Sequence, residues 1–316
     1  MELVRKDPKI VAIGEGMLEL SREGPGWRLG YGGDTLNTAI HLARFGFDIS
    51  FMSALGDDPF SADLRTLWAT EGLRTDLVLT DPARQPGLYA IRTDERGERT
   101  FAYWRNNSAA RRMFELPETG AAIEAARKAN LLIFSLITLA VLPPAGRKRL
   151  LELAAEVRAA GGRVAFDGNY RPTLWSNVEE ARAARDAAIA TCTIGLPTLA
   201  DEQLLSGSKD EHSVSAWWTS LGAEDVVVKL GERGCFADGR AIPPPMDLEP
   251  VDTSGAGDAF NAGFLAARMA GNATDIAAEA GNTLAGWVIG RPGAIPPRDG
   301  VAPYSRGLIG VHRVRS

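Results

Sequence analysis

Histidine and cysteine are scarce in this chain. Its 316 residues include three histidines, His41, His212 and His312, and two cysteines, Cys192 and Cys235. So few histidines leave little basis for a His-based metal site or a triad that turns on imidazole. The cysteines have neither a CxxC nor metal-ligand spacing, which suits a reducing cytosol, and a cytoplasmic location is the expectation. Long apolar runs are missing too. The longest, Leu131 to Leu142, is too short for a bilayer span, is interrupted by Ser135 and Thr138, and is expected to be a buried strand and its turn. Met1 to Pro8 mixes acid, base and proline, unlike a signal peptide. Net charge is only −5, with Lys and Arg scattered, so neither nucleic acid nor an anionic membrane is an expected partner. There is no basic helix-turn-helix segment, internal repeat or low-complexity tract. What remains, 45% hydrophobic and 24% charged, is the profile of a globular chain with room for one large α/β domain or two smaller ones.

One stretch stands out against this background, Val251 to Phe264 (VDTSGAGDAFNAGF). Gly255, Ala256 and Gly257 precede Phe260, Phe264, Leu265 and Met269, which have helical spacing. A glycine turn opening a helix exposes unpaired N–H groups at the positive end of the dipole, a site for phosphate or a developing anion. Asp258 falls in the first helical turn. It could compensate the helix dipole, or it could accept a proton from a hydroxyl attacking a phosphoryl group. Spacing alone leaves both open.

Ile10 to Ile13 has the pattern of a first strand, followed by Gly14-Glu15-Gly16. A dinucleotide fingerprint is rejected here, because Glu19 occupies the third glycine position and Met17 to Ser21 alternates like a strand. Gly32-Gly33-Asp34 then precedes a helical pattern containing Asn37. Asp34 can be a plain helix cap, or Asp34 and Asn37 can bind the hydroxyls of a polyol. Alternating segments at Met17 to Ser21, Trp27 to Tyr31, Gly87 to Arg92 and Arg99 to Arg105, with a turn over Thr93 to Glu98, predict a small β element standing over a crevice as a lid. Tyr89, Tyr103 and Arg105 are expected to face that crevice.

Strands at 49–54 and 77–79 flank a helix at 60–70, and from residue 120 the pattern becomes regular βα. Strands are expected at 131–134, 164–167, 193–196 and 226–230, with helices near 121–126, 147–159, 178–188 and 213–218. Such alternation implies a parallel sheet covered on both faces, with ligands at the strands' carboxyl ends. Asp167 to Pro172 and Lys229 to Gly234 lie there, and Arg171 is a candidate anion clamp or a surface loop arginine. Tyr304 to Ser316 is expected to be a tail or an oligomer contact.

In this order the pieces resemble the ribokinase-like (PfkB) carbohydrate kinase family over nearly the full length. Gly32-Gly33-Asp34-x-x-Asn37 and Asp252 to Asp258 (DTSGAGD) carry the resemblance. It implies a three-layer α/β/α sandwich with a mostly parallel central sheet, one kinase domain over 1–316, and lid segments at about 15–33 and 86–107. Narrower matches lie at 33–38, 86–89, 97–101, 103–106, 169–172 and 196–202. With them the resemblance implies ATP-dependent phosphorylation of 2-keto-3-deoxygluconate at its 6-hydroxyl, with Mg²⁺ on the phosphates. Asp258 would be the base, with the amides of Gly255, Ala256 and Gly257 as the anion hole. Gly33, Asp34, Asn37, Tyr89, Tyr103, Arg105 and Arg171 would bind the acidic sugar. Lys229, Gly231, Gly234, Asn282, Ala285 and Gly286 would join Gly255 and Gly257 in holding ATP. Glu202 would hold a water of Mg²⁺, while Asp252 and Ser254 match a monovalent cation site for K⁺. Gly168 departs from the polar residue usual before Asn169. A homo-oligomer built through the lid is expected. The competing readings are a kinase of 2-keto-3-deoxygalactonate, fructose or ribose, and a silent sugar-binding regulator on the same scaffold.

Overall fold

The computed structural model describes residues 8–93, 99–245 and 249–304. All but the first residue of the expected turn over Thr93 to Glu98, the expected tail beyond residue 304 and the first seven residues lie outside them. In chain order the strands begin with β1 (Ile10–Ile13), β2 (Met17–Glu23), β3 (Gly26–Gly32), β4 (Ile49–Leu55), β5 (Val78–Thr80), β6 (Leu88–Thr93) and β7 (Arg99–Trp104). They continue with β8 (Leu131–Ser135), β9 (Arg163–Asp167), β10 (Ile194–Leu196), β11 (Asp225–Val226), β12 (Val228–Lys229), β13 (Cys235–Ala237) and β14 (Arg240–Ile242). The helices are α1 (Asp34–Arg44), α2 (Pro59–Thr70), α3 (Thr119–Ala126), α4 (Leu136–Val141), α5 (Pro144–Ala159), α6 (Val178–Thr191), α7 (Leu199–Ser206), α8 (Glu211–Ser220), α9 (Ala256–Met269) and α10 (Thr274–Ile289).

Seven strands form the central sheet in the order β11-β10-β9-β8-β1-β4-β5, every pair parallel. Both faces of a parallel sheet are covered, so its strands are apolar on both sides. Successive β1 residues therefore serve different cores. Val11 and Ile13 pack with α3, α5, α6 and α8, and Ile10 and Ala12 with α1, α2, α9 and α10. This is the expected three-layer sandwich. Glycines let α9 and α10 approach closely, since a Cβ on Gly263 would come within 2.6 Å of the Ala280 carbonyl oxygen.

The lid is a four-stranded sheet, β3-β2-β6-β7, with β2 parallel to β6 and the other pairs antiparallel. Three of the expected segments change. Leu131 to Leu142 is a strand followed by the short helix α4, started by a reciprocal Ser135–Thr138 capping box. The strand expected at 226–230 is split into β11 and β12, and β12 leads into the antiparallel hairpin β13-β14. Tyr304 is no loose tail. It packs on His41, Phe45 and Trp287.

Candidate active site

A crevice of about 780 Å³ opens between the lid's inner face and the carboxyl ends of the parallel strands. Nearly every residue singled out from the sequence lines it, from Gly33, Asp34 and Asn37 through Tyr89, Tyr103, Arg105 and Arg171 to Lys229 and Asp258. Gly231, Gly234, Ser254, Gly255, Ala256, Gly257, Asn282 and Ala285 complete that set. Glu202, Asp252 and Gly286 stand off the wall.

The floor is built at the start of α9. Gly255 caps the helix with φ of 69°, in the left-handed region open to glycine, and Ala294 packs where its Cβ would be. The first turn thus presents Ala256, Gly257 and the buried Asp258. Asn37 donates to Asp258 Oδ2 at 2.8 Å, and Thr38 donates to the Asp258 carbonyl at 3.1 Å. Burial holds the Asp258 carboxyl well above the usual carboxylate range; Asp34 and Asp167 add to this, while Asn37 and Lys229 oppose it. Asp34 is raised by burial as well, and Asn169 donates to its Oδ2 at 3.3 Å. Its side chain does not cap α1. Gly33 is the N-cap residue, where a side chain would collide with the Glu15 carbonyl.

Behind the floor, Asp252 accepts from the backbone of Ser254 at 2.8 Å and of Gly293 at 2.6 Å, joining the nest to the loop after α10. The buried His41 fixes the same loop, with Nε2 3.0 Å from the Ala294 carbonyl and Nδ1 2.7 Å from the Tyr304 hydroxyl. Burial, aided by Arg44, pushes its pKa down to about 4, so the ring is neutral. No sequence signal marked His41, because its partners lie more than 250 residues away.

The roof comes from the lid. Tyr89 donates to Glu19, and the absence of a side chain at Gly32 makes room for its hydroxyl. Arg105 is buried in an ion pair with Glu15, its Nε 2.7 Å from Glu15 Oε2. Arg171 is half exposed, 3.5 Å from Asp201. A neutral ligand would therefore leave neither arginine without a partner. Each has an acidic neighbour within the chain.

Three further expectations change. Glu202 is held by Arg185 and by the Trp218 indole N–H on the far side of α7, away from the crevice. Asp201 faces the crevice instead. Gly286 is buried inside α10, one position past the lining Ala285. Asn282 lines the crevice, but its amide nitrogen is used on the carbonyls of Ile242 and Pro243, clamping the β13-β14 hairpin. Gly168 also acquires a reason. A Cβ there would lie 2.9 Å from the Trp218 ring, which stacks on Phe166.

A left-handed glycine turn, with a buried carboxylate in the first helical turn behind it, thus faces polar groups of the lid across the crevice. The pfkB family carbohydrate kinase model matches residues 1–299, and the chain belongs to that family. It is 40% identical over 302 residues to the 2-dehydro-3-deoxygluconokinase of Escherichia coli K12, covering 92% of this chain and 98% of that one. A fructokinase of Klebsiella pneumoniae is 30% identical, covering 92% and 97%. Among solved structures, the 2-dehydro-3-deoxygluconokinase of Thermotoga maritima superposes with a TM-score of 0.81 over 96% of this chain and 98% of that one, at 20% identity.

Proposed function

We propose that this chain transfers the γ-phosphoryl group of ATP to the 6-hydroxyl of 2-keto-3-deoxygluconate, giving 2-keto-3-deoxy-6-phosphogluconate. The observation that carries this reading is Asp258, a buried carboxylate in the first turn of α9, behind the Gly255 nest and reached by Asn37 from across the crevice. Its raised proton affinity suits a group that must take a proton from an alcohol. The amides of Gly255, Ala256 and Gly257 are the donors for phosphoryl charge. Asp34 and Asn37 bind the sugar's distal hydroxyls, Tyr89 and Tyr103 its keto end, and Arg105 and Arg171 its carboxylate. Lys229, Gly231, Gly234 and Ala285 border the ATP. The identity of 40% to a kinase of that acid sugar, against 30% to a fructokinase, supports the choice.

Mg²⁺ would supply charge neutralisation on the phosphates. Its oxygen-rich shell is compatible with a crevice where Asp201, in place of Glu202, is the acid on that wall. A solved E. coli neighbour holds ATP and Mg²⁺. For K⁺ the fitting residues are Asp252 and Ser254, since Asp252 draws two loops and their carbonyls together. Residues 15–33 and 86–107 act as a lid on one kinase domain. Its outer face carries Trp27, Leu29 and Trp104, all more than half exposed. An apolar sheet face of this kind supports a homo-oligomer formed through the lid. A cytoplasmic location agrees with the absence, among the described residues, of any helix able to cross a membrane.

The second reading is a neutral-sugar kinase, favoured by the internal Glu15 partner of Arg105. The test is ³¹P NMR of product formed from ATP and 2-keto-3-deoxygluconate. One phosphomonoester coupled to the C6 protons is expected. No ester from this sugar, with an ester formed from fructose, would reverse the assignment.

A further inference from the structure

One buried polar cluster beside the nest joins Lys229, so far placed only at the border of the ATP, to two residues with no role yet, Asp167 and Asn261. Asp167 ends β9, Lys229 ends β12, and Asn261 lies on α9 one turn beyond Asp258. Lys229 Nζ donates to Asp167 Oδ1 at 2.8 Å and to Asn261 Oδ1 at 3.1 Å. Asn261 Nδ2 donates to Asp167 Oδ2 at 2.8 Å, closing the ring. None of the three is more than 7% exposed. A buried ion pair is a weak source of stability compared with apolar packing, so its position calls for another account.

That position is against the anion nest. A Cβ on Gly257 would sit 3.8 Å from Lys229 Nζ, and both residues line the crevice. An ammonium has three N–H donors, of which Asp167 and Asn261 take two. Arg105 stands in the lid with Glu15 and Arg171 beside Asp201, so Lys229 is the described crevice-lining cation at the nest.

We propose that Lys229 is a catalytic residue that carries charge on the phosphoryl group in flight, and that Asp167 and Asn261 are positioning residues that aim it; this rests on the kinase reading above. In the transfer, the sugar's 6-hydroxyl oxygen bonds to the γ-phosphorus as the bond to the β–γ bridging oxygen breaks. ADP leaves with that electron pair, and the hydroxyl proton passes to Asp258. Negative charge on and around the moving group is what a fixed donor there stabilises. A lysine swinging on a flexible stem would follow the nucleotide and bind ground state and transition state alike. Locked between a strand end and a helix, Lys229 acts on turnover more than on ATP binding.

The cluster also sets the electrostatics of the base. The groups facing Asp258 are Asp34 and Asn37 from α1, Asp167 from β9, Lys229 from β12 and Tyr89 from the lid. Among them Asp34 and Asp167 favour its protonated form, and Asn37 and Lys229 its ionised form.

The experiment is steady-state kinetics on the full chain with ATP and 2-keto-3-deoxygluconate, for wild type, Lys229→Met, Asn261→Ala and Asp167→Asn. Lys229→Met is expected to lower kcat by about 10²- to 10³-fold, the scale seen on removing a transition-state donor, with KM for ATP within about threefold. Asn261→Ala keeps the lysine and is expected to lower kcat by about tenfold. The acid limb of kcat/KM against pH should move up in Lys229→Met and down in Asp167→Asn, opposite shifts that general loosening does not produce. Asn261→Ala also stands in should Asp167→Asn not fold. Unchanged kcat in Lys229→Met, or a loss carried by KM for ATP, overturns the inference while leaving the kinase reading intact. A wild-type protein that phosphorylates no acid sugar would instead remove that reading and this one with it.

Discussion

Asp258→Asn should make the protein inactive and more stable at once. The wild-type carboxylate is buried, has Asn37 as its side-chain donor, and shares its surroundings with Asp34 and Asp167. Its folded pKa is raised. The stability contributed by a raised group is fully present below the unfolded value of about 3.9 and is lost as pH rises through the folded pKa. At pH 8 the wild type therefore carries more of the cost of that raised proton affinity than it does at pH 5, up to about 1.4 kcal/mol for each unit by which the folded pKa exceeds the unfolded one. Asparagine keeps the shape and the acceptor for Asn37 but has no charge to bury. A gain of about 1–2 kcal/mol at pH 8 is expected, the scale on which active-site residues oppose stability. For large domains each kcal/mol moves Tm by about 2–4 °C. Denaturant and thermal unfolding of both proteins at pH 5 and pH 8 would measure it, with the gain shrinking at the lower pH. Coupled-assay turnover should fall by about 10³-fold or more while ATP binding is retained. A variant less stable than wild type at pH 8, or a difference independent of pH, would refute the reasoning.

Other substitutions separate the remaining roles. Arg171→Ala should raise KM for the acid sugar by about 10- to 100-fold, the loss of one charge-assisted contact, and KM for a neutral sugar by less than about threefold. Equal effects on both would remove the carboxylate role. Glu202→Ala breaks a buried pair with Arg185 and should reduce folding stability by about 3–5 kcal/mol. The Mg²⁺ titration of the folded fraction should be unchanged, and a shift in it would return Glu202 to the metal. Trp104→Glu puts a charge on the lid's apolar outer face and should lower the molar mass measured by light scattering; a wild type already monomeric would end the oligomer proposal.

Much of the site was legible because its signals are local. The nest, its helix and Asp258 are consecutive residues, and period-two alternation placed Tyr89 and Tyr103 on one face of one hairpin. What was missed depends on helix phase or on partners distant in the chain. Residues 201 and 202 look equivalent in sequence until α7 is recognised. Neighbours on a helix then point about 100° apart, so with Leu199 and Leu205 buried Glu202 turns inward and Asp201 outward. Asn282 looked available because the three-residue strands β13 and β14 that its side chain clamps are too short to show a period. The pairing of Lys229 with Asp167 joins two strand ends 62 residues apart and leaves no trace in either segment. The Arg105–Glu15 pair spans 90 residues in the same way, with the acid inside a GxG that drew attention for another reason.

The most direct measurement is the ratio of kcat/KM for 2-keto-3-deoxygluconate to that for fructose, taken with saturating ATP and Mg²⁺. An acid-sugar kinase with Arg105 and Arg171 on the carboxylate should favour the acid by about 10²-fold or more, roughly 2.7 kcal/mol of transition-state binding. Parity, or a preference for fructose, would contradict the account.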